Sequence, residues 1–467
     1  MADSTSPIKF GTSGWRAVMA EDFTFANVAT AVDAIAGFLQ TEAGGRRAPS
    51  VVVGYDTRFL SDRFARVSAD RLASYGIQVH LAAEPTPTPA LSYFTVQLQL
   101  DGAINFTASH NPAEYNGLKF SAADGAPALP EVTHAIEALL GTRPAPLAAG
   151  TITPADPRPL YLNRLRELVD LGAIARSGLR LALDPLWGTA RGYTATLLAD
   201  AGIPYAIVHD TRDVLFGGHA PEPETENTRA LAACMAEQHA ALGLATDGDA
   251  DRFGILDQDG SLLSPNYIIA LLFDYLVESR GWRNGVGKSV ATTNLINAVA
   301  ASYGIPLHET PVGFKYLGEL IKQDSIAIGG EESAGLSIRH HVPEKDGIIA
   351  GLLVAEMVAV RKRSLAEQLQ ALFAKVGSFY PLRENFPLTA ESALKLSEKL
   401  ASAPATLGGR KVASIVRTDG LKLILEDGAW VLLRPSGTEP VVRLYIETRT
   451  REDQPALLAA ARAFVLS

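Results

Sequence analysis

Val51-Val52-Val53-Gly54-Tyr55-Asp56 is an apolar run that stops on an acid. It follows a stretch with helical spacing of apolar residues (Val28, Ala31, Ile35, Phe38) and reads as a buried strand. The pattern returns at Leu181-Ala182-Leu183-Asp184, at Leu242-Gly243-Leu244-Ala245-Thr246-Asp247 and at Ile326-Ala327-Ile328-Gly329-Gly330-Glu331. Short apolar strands alternating with helical segments predict α/β units built on parallel-rich sheets. Acids or hydroxyls just past such strand ends lie where these sheets bind ligands. No fixed short period is visible, so the recurrence indicates several similar α/β domains and not a solenoid.

Length and composition bound the rest. With 467 residues the chain exceeds one ordinary core, and three or four domains are expected. Hydrophobic content of 47% with 20% charged residues is that of a soluble globular protein. The first residues, MADSTSPIKF, contain no apolar core of a signal peptide. The longest apolar run, Ile348 to Ala355, is broken by Glu356 and reads as a buried helix. A single cysteine, Cys234, excludes an intrachain disulfide and a Cys-based zinc cluster, and a cytoplasmic setting follows. The net charge of −9 argues against nucleic acid or an anionic membrane as partner. An anionic substrate would therefore have to be met by cations gathered in short loops.

Five loops carry such groups. Thr107-Ala108-Ser109-His110-Asn111-Pro112 follows a short apolar strand, Gly102 to Phe106, and holds a serine beside an imidazole on a constrained loop. Taken alone it is also an ordinary Ser/Asn turn, because a serine hydroxyl needs a base or cation nearby to react. Phe10-Gly11-Thr12-Ser13-Gly14-Trp15-Arg16 can turn backbone N–H groups toward an anion, with Arg16 as counter-charge. Asp247-Gly248-Asp249-Ala250-Asp251-Arg252 places three carboxylates at i, i+2 and i+4, where they repel unless a cation joins them. A calcium EF-hand needs Gly at the sixth and Glu at the twelfth position; Arg252 and Gln258 stand there, which leaves Mg²⁺. Gly329-Gly330-Glu331-Glu332-Ser333-Ala334-Gly335 offers a carboxylate and a hydroxyl two residues apart, suited to neighbouring sugar hydroxyls. Arg434-Pro435-Ser436-Gly437-Thr438-Glu439-Pro440 combines a bidentate cation, two hydroxyls and a glycine, a phosphate cradle without a P-loop lysine. Adjacent His340 and His341 point apart in a strand and have no third ligand nearby, so they do not make a zinc site.

These loops, in this order, resemble those of the α-D-phosphohexomutases, the phosphoglucomutase and phosphomannomutase superfamily. The resemblance implies four domains around a central cleft, three similar α/β domains with mixed parallel-rich sheets and a smaller C-terminal α+β domain. The bounds expected are 1–150 (serine loop), 151–258 (metal loop), 259–375 (sugar loop) and 376–467 (phosphate loop), with the Pro/Ala/Thr-rich segment 141–158 as the first linker. It implies that Ser109 carries the transferred phosphoryl group and joins Asp247, Asp249 and Asp251 around one Mg²⁺ per chain. His110, Lys119, Arg16 and Arg252 would complete the catalytic centre, with Lys119 carried back over the hydroxyl by a reversal at Asn116-Gly117. Glu331 and Ser333 would bind sugar hydroxyls, Lys345, Thr310 and Gly313 would contact the substrate, and Arg434, Ser436, Gly437 and Thr438 would grip the phosphate that is not transferred.

The reaction so implied interconverts glucose 1-phosphate and glucose 6-phosphate, with glucose 1,6-bisphosphate as intermediate and activator, in a monomer or weak homodimer. Gly335 stands where dual-specificity phosphomannomutases have His, and Glu332 where they have Met, which resembles the glucose-preferring loop. Phosphomannomutase and phosphoglucosamine mutase remain alternatives by the same mechanism. A Mg²⁺-dependent sugar-phosphate phosphatase is the alternative of a different class. Which residue acts as general acid or base stays open.

Overall fold

The computed structural model describes residues 8–11, 13–44, 47–145, 147–389, 396, 398–435 and 441–466. Its first sheet contains β1 (Trp15–Val18), β2 (Ser50–Tyr55), β3 (Gln78–Ala82), β4 (Gly102–Phe106), β5 (Tyr115–Ala122) and β6 (Ile152–Ala155), in the order β1-β5-β4-β2-β3-β6. The second contains β7 (Leu181–Asp184), β8 (Tyr205–Ile207), β9 (Leu242–Thr246) and β10 (Phe253–Leu256), in the order β10-β9-β7-β8. The third contains β11 (Val286–Ser289), β12 (Leu307–Thr310), β13 (Ile328–Glu331) and β14 (Gly335–Ile338), in the order β12-β11-β13-β14.

One arrangement is used three times. In each sheet a central strand (β2, β7, β11) pairs in parallel with the next two strands in sequence, one on each side. The second of these (β4, β9, β13) then pairs antiparallel with the strand that follows it. The three hairpin connections so formed are residues 107–114, 247–252 and 332–334, which are the serine, aspartate and glutamate loops. Parallel strands covered by helices on both faces must be apolar on both faces; Val51, Val52 and Val53 are accordingly all fully buried.

The second and third units share one continuous core, whose centre is the helix Gly347–Arg361. Residues Gly347 to Ala359 of that helix are buried all round, as its apolar sequence requires, and the one acid among them, Glu356, is paired with Arg280 and Tyr275. Asp346 caps it by accepting from the N–H groups of Ile348 and Ile349 at 2.9 and 3.0 Å. The His341 side chain is buried with Nε2 2.7 Å from the same carboxylate, while His340 is exposed, so the pair does not share an ion. No helix among the described residues is long and apolar enough to cross a membrane.

The last unit is an antiparallel sheet of β15 (Tyr380–Pro387), β16 (Thr406–Leu407), β17 (Arg410–Val416), β18 (Leu421–Leu425), β19 (Trp430–Pro435) and β20 (Val441–Thr448), in the order β15-β20-β19-β18-β17-β16. The helix Gln454–Leu466 packs on it through Leu457, Ala461 and Val465. Trp430, Leu432 and Tyr445 pack on Val290 and Ala291 of the third unit. Glu447 secures that contact by accepting from Asn294 N–H at 3.0 Å and Trp430 Nε1 at 2.7 Å.

Two local expectations are corrected. The segment 141–158, read as a linker, contains β6, which extends the first sheet by pairing in parallel with β3. Asn116-Gly117 is not a reversal: both residues lie in β5, paired with Ala17 and Arg16 of β1, and the chain turns earlier, between Phe106 and Tyr115. Strand pairing on both sides of β5 outweighs the local turn preference of Asn-Gly.

Candidate active site

The serine loop is held from within. Ser109 has φ of 51°, a left-handed conformation that side-chain-bearing residues rarely adopt. Its N–H donates to Thr107 Oγ1 at 2.9 Å, and its hydroxyl donates to Asp247 Oδ2 at 2.6 Å. His110 Nδ1 lies 3.3 Å from the same hydroxyl. Arg16, on β1 beside β5, donates to Asn111 Oδ1 at 2.8 Å. Serine and aspartate loops touch at the backbone: a Cβ on Gly248 would come within 2.7 Å of the Ser109 carbonyl oxygen, so only glycine fits there.

In the β9–β10 hairpin, Asp247, Asp249 and Asp251 are buried, and one oxygen of each lies within 4.8 Å of the others. Asp249 Oδ2 accepts from Thr88 Oγ1 and from Lys119 Nζ, both at 2.6 Å. Asp251 Oδ2 accepts from Lys119 at 2.9 Å and pairs with Lys345 Nζ at 3.0 Å. The Oδ1 atoms of Asp249 and Asp251 are buried without any hydrogen-bond partner. Burial and the two neighbouring aspartates push Asp247 well above the usual carboxylate range. Burial would also raise Asp251, but Lys119, Lys345 and Arg252 hold it well below that range. Two orphaned oxygens and one carboxylate forced toward its neutral form are what a hard divalent cation relieves, so the residues fit Mg²⁺. Among the described residues this is the one group of three or more His, Cys, Asp or Glu donors close enough to share an ion.

Cations surround this centre. Lys119 reaches it from β5, where it faces Asn105 across the β4 pairing. Burial alone would lower Lys119, but Asp249 and Asp251 outweigh it and leave the ammonium favoured. Arg252 donates to Glu222 Oε1 at 2.8 Å. Burial, with Arg252 and Arg16 nearby, pushes His110 well below its ordinary value and keeps the imidazole neutral near pH 7.

Glu331 ends β13, and its Oε1 accepts from Gly313 N–H at 2.7 Å, which joins two of the expected substrate residues. Burial and the adjacent Glu332 push Glu331 up to about 7. Ser333 lies in the turn that follows and is half-buried. Glu332 turns away, its Oε2 accepting from Ser289 and Thr292 at 3.2 and 3.4 Å. Thr310 ends β12 with its hydroxyl donating to Pro311 O at 2.9 Å. Gly335 has a specific use: a Cβ there would meet Lys345 Cδ at 2.3 Å. The lysine stem runs through that space, which brings Nζ to Asp251 and to Glu344 Oε1, 3.1 Å away.

In the last unit, Arg434 Nε donates to Asp419 Oδ2 at 2.9 Å, and that oxygen also accepts from Val312 N–H at 3.1 Å. Arg434, near the end of β19, is thereby tied to the segment containing Thr310 and Gly313. Ser436, Gly437 and Thr438 lie outside the described residues.

Two participants escaped the sequence reading, Thr88 and Arg58. Thr88 starts the helix Thr88–Gln97 and orients Asp249 through both its hydroxyl and its N–H. Arg58 is fully buried behind the serine loop. Neither sits in a motif that carries chemistry by itself. The acid-ended strand Val51–Asp56, two residues before Arg58, was the available signal.

Comparison with known proteins agrees with this geometry. Family models described as phosphoglucomutase/phosphomannomutase match the chain in order: alpha/beta/alpha domain I over residues 7–145, domain II over 159–260, domain III over 264–376 and the C-terminal domain over 384–463. A phosphoglucomutase of Komagataeibacter xylinus is 30% identical, over 96% of this chain and 88% of its own. A phosphoglucosamine mutase of Thermobifida fusca (strain YX) is also 30% identical, over 96% of both chains. The crystal structure of a Thermus thermophilus protein, provisionally named a phosphomannomutase, superposes with a TM-score of 0.87 at 35% identity and 99% coverage of both chains. These relatives carry the names of three different sugars.

Proposed function

The chain belongs to the phosphoglucomutase/phosphomannomutase family, whose members are phosphotransferase isomerases, and from that premise we propose that it interconverts glucose 1-phosphate and glucose 6-phosphate through phospho-Ser109. The observation that carries this reading is the Ser109 hydroxyl, 2.6 Å from the first of three clustered aspartates and held among Arg16, Lys119, Arg252 and Lys345.

Phosphoryl transfer is mainly positioning and charge stabilisation. The sugar phosphate docks with its phosphate on the Arg434–Thr438 loop and two hydroxyls on Glu331 and Ser333, with Lys345, Thr310 and Gly313 at the edge of the sugar. Its free hydroxyl attacks phosphorus as the bond from phosphorus to Ser109 Oγ breaks. The proton of that hydroxyl ends on Ser109 Oγ, which then donates to Asp247 as observed. The bisphosphate turns over in the cleft, and the second transfer reverses these steps at the other phosphate. Lys119 and Arg252 hold positive charge beside the moving group, and His110 stays neutral next to Oγ. Ser109 with Asp247, Asp249 and Asp251 would hold one Mg²⁺, as is typical of the family, and when bound it supplies the charge that lets a phosphoserine dianion lie beside three carboxylates.

The preference among sugars resides in the Glu331 loop. Gly335 leaves room for the Lys345 stem, so an ammonium reaches this side of the centre. That supports glucose, where a side chain at position 335 would exclude the same lysine. The test is a coupled assay with Mg²⁺ and a trace of glucose 1,6-bisphosphate on glucose 1-phosphate, mannose 1-phosphate and glucosamine 1-phosphate. Fastest turnover of the glucose ester, rising with bisphosphate, is expected. A faster second sugar overturns the specificity, and release of free phosphate alone overturns the mutase reading.

A further inference from the structure

We propose that Arg58 is the positioning residue that aims the Ser109 hydroxyl for phosphoryl transfer; the inference rests on the phosphoserine reading above. A guanidinium has five N–H donors in a rigid plane, and all of its faces are used here. Nε donates to Asp56 Oδ2 at 3.0 Å. Nη2 donates to the carbonyls of Ser109 at 2.7 Å and Asn111 at 2.6 Å. Nη1 donates to the carbonyls of Pro112 at 2.6 Å and Tyr115 at 3.1 Å. Three carbonyls of the serine loop, and that of Tyr115 where β5 begins, are thus drawn inward onto one side chain.

The consequence for Ser109 is conformational. A left-handed residue with a side chain is strained and persists only where its surroundings over-determine it. Here the Ser109 carbonyl is fixed by Arg58 and its N–H by Thr107 Oγ1. With both peptide groups held inside the loop, the hydroxyl is turned the other way, to Asp247. Were the peptide free to relax to negative φ, Oγ would leave that position.

Arg58 is itself held. Asp56 Oδ1 accepts from Arg58 N–H at 3.0 Å and Ser61 Oγ at 2.9 Å, and the guanidinium lies 5.0 Å from the Phe216 ring of the second unit. All five of its N–H donors are spent on Asp56 and the serine loop, so none is left for a sugar or its phosphate. Burying a guanidinium is costly even when paired, and lysine could not replace it, having one nitrogen where the loop needs a planar fork.

The test compares Arg58→Lys, Arg58→Ala and Thr107→Val with wild type. It reads kcat and KM of the mutase reaction, thermal unfolding, and the rate of Ser109 phosphorylation by glucose 1,6-bisphosphate from intact mass. Misplacing a reacting group by about 1 Å costs roughly 100-fold, so kcat and the phosphorylation rate should fall about that much in Arg58→Lys, with KM within about threefold. Sub-denaturing guanidinium should restore part of the rate to Arg58→Ala, and methylammonium should not. A folded Arg58→Lys with wild-type kcat overturns the proposal, as does a loss that appears in KM alone. Should the Arg58 variants fail to fold, Thr107→Val decides: it frees the other side of the Ser109 peptide, and wild-type kcat there overturns the proposal. Ser109→Ala run alongside separates the two readings, because activity retained in that variant removes the phosphoserine itself, whatever Arg58 does.

Discussion

Ser109 Oγ donates to Asp247 Oδ2 at 2.6 Å across 138 residues of sequence and between two different sheets. The contact joins the serine loop of one unit to the aspartate loop of the next, and it exists because the two loops are equivalent hairpins of a repeated topology. Ser109→Ala removes one buried hydrogen bond, a cost of about 1–2 kcal/mol, and leaves the fold intact. Turnover should drop by a factor on the order of 10⁴ or more, as for loss of other covalent nucleophiles. Thermal unfolding and the coupled assay on one preparation check both halves, and a wild-type rate would remove Ser109 from the mechanism.

Asp249→Asn takes one of three charges from the cluster and keeps an oxygen for Thr88 and Lys119. Mg²⁺ affinity should fall at least about 100-fold, while binding of the sugar phosphate is kept. Titration of Mg²⁺ against the unfolding temperature reads the affinity without using activity. An unchanged midpoint would mean that the ion, if bound, does not use this loop.

Much of this site was legible because its parts are local. Strands buried on both faces must be continuous apolar runs, so Val51–Tyr55, Leu181–Asp184 and Leu242–Thr246 stand out, and the acids beyond them mark loop positions. The aspartate triad declares itself because three carboxylates at alternate positions of one short loop repel unless a cation joins them. Arg58 and Thr88 were not legible, since the loops they hold lie 51 and 161 residues away and the one local partner, Asp56 beside Arg58, does not point to them. The Asn116-Gly117 dipeptide misled for the opposite reason: a strong local turn signal was overridden by its pairing with β1, in a strand whose next residues pair with β4. Position 335 shows the same limit. Gly335 can be read as a missing side chain, but that the space belongs to Lys345 depends on a hairpin meeting a loop ten residues later.

Glu331 gives a pH dependence with a definite sign. Burial and Glu332 push it up to about 7 in the native state, against 4.5 as its ordinary value. Below pH 4.5 it is protonated in both folded and unfolded chains and does not affect the balance. Between there and about 7 the unfolded chain has released a proton that the native state keeps, so this contribution to stability is lost as pH rises. Glu331→Gln should match wild type at about pH 4 and be more stable at about pH 8, by up to about 3 kcal/mol. Urea unfolding across that range reads the difference, and parallel curves would show that Glu331 ionises normally. The variant should bind the sugar phosphate more weakly at the alkaline end, where wild type presents a carboxylate to the hydroxyls.

Gly335→Ala tests the space that Lys345 fills. The new methyl would meet Lys345 Cδ and Cγ at 2.3 and 2.8 Å, so the stem must move and Nζ must leave Asp251 or Glu344. Overpacking of this kind costs about 1–3 kcal/mol, and a displaced ammonium should raise KM for the sugar phosphate roughly tenfold. The cause is isolated by a double-mutant cycle with Lys345→Ala. If the two positions compete for one volume, Gly335→Ala costs little once the lysine stem is gone, and the pair should fall short of additivity by about 1 kcal/mol or more. Additive losses in stability and KM would mean that Gly335 acts on something other than Lys345, and the preference for glucose would lose its structural basis.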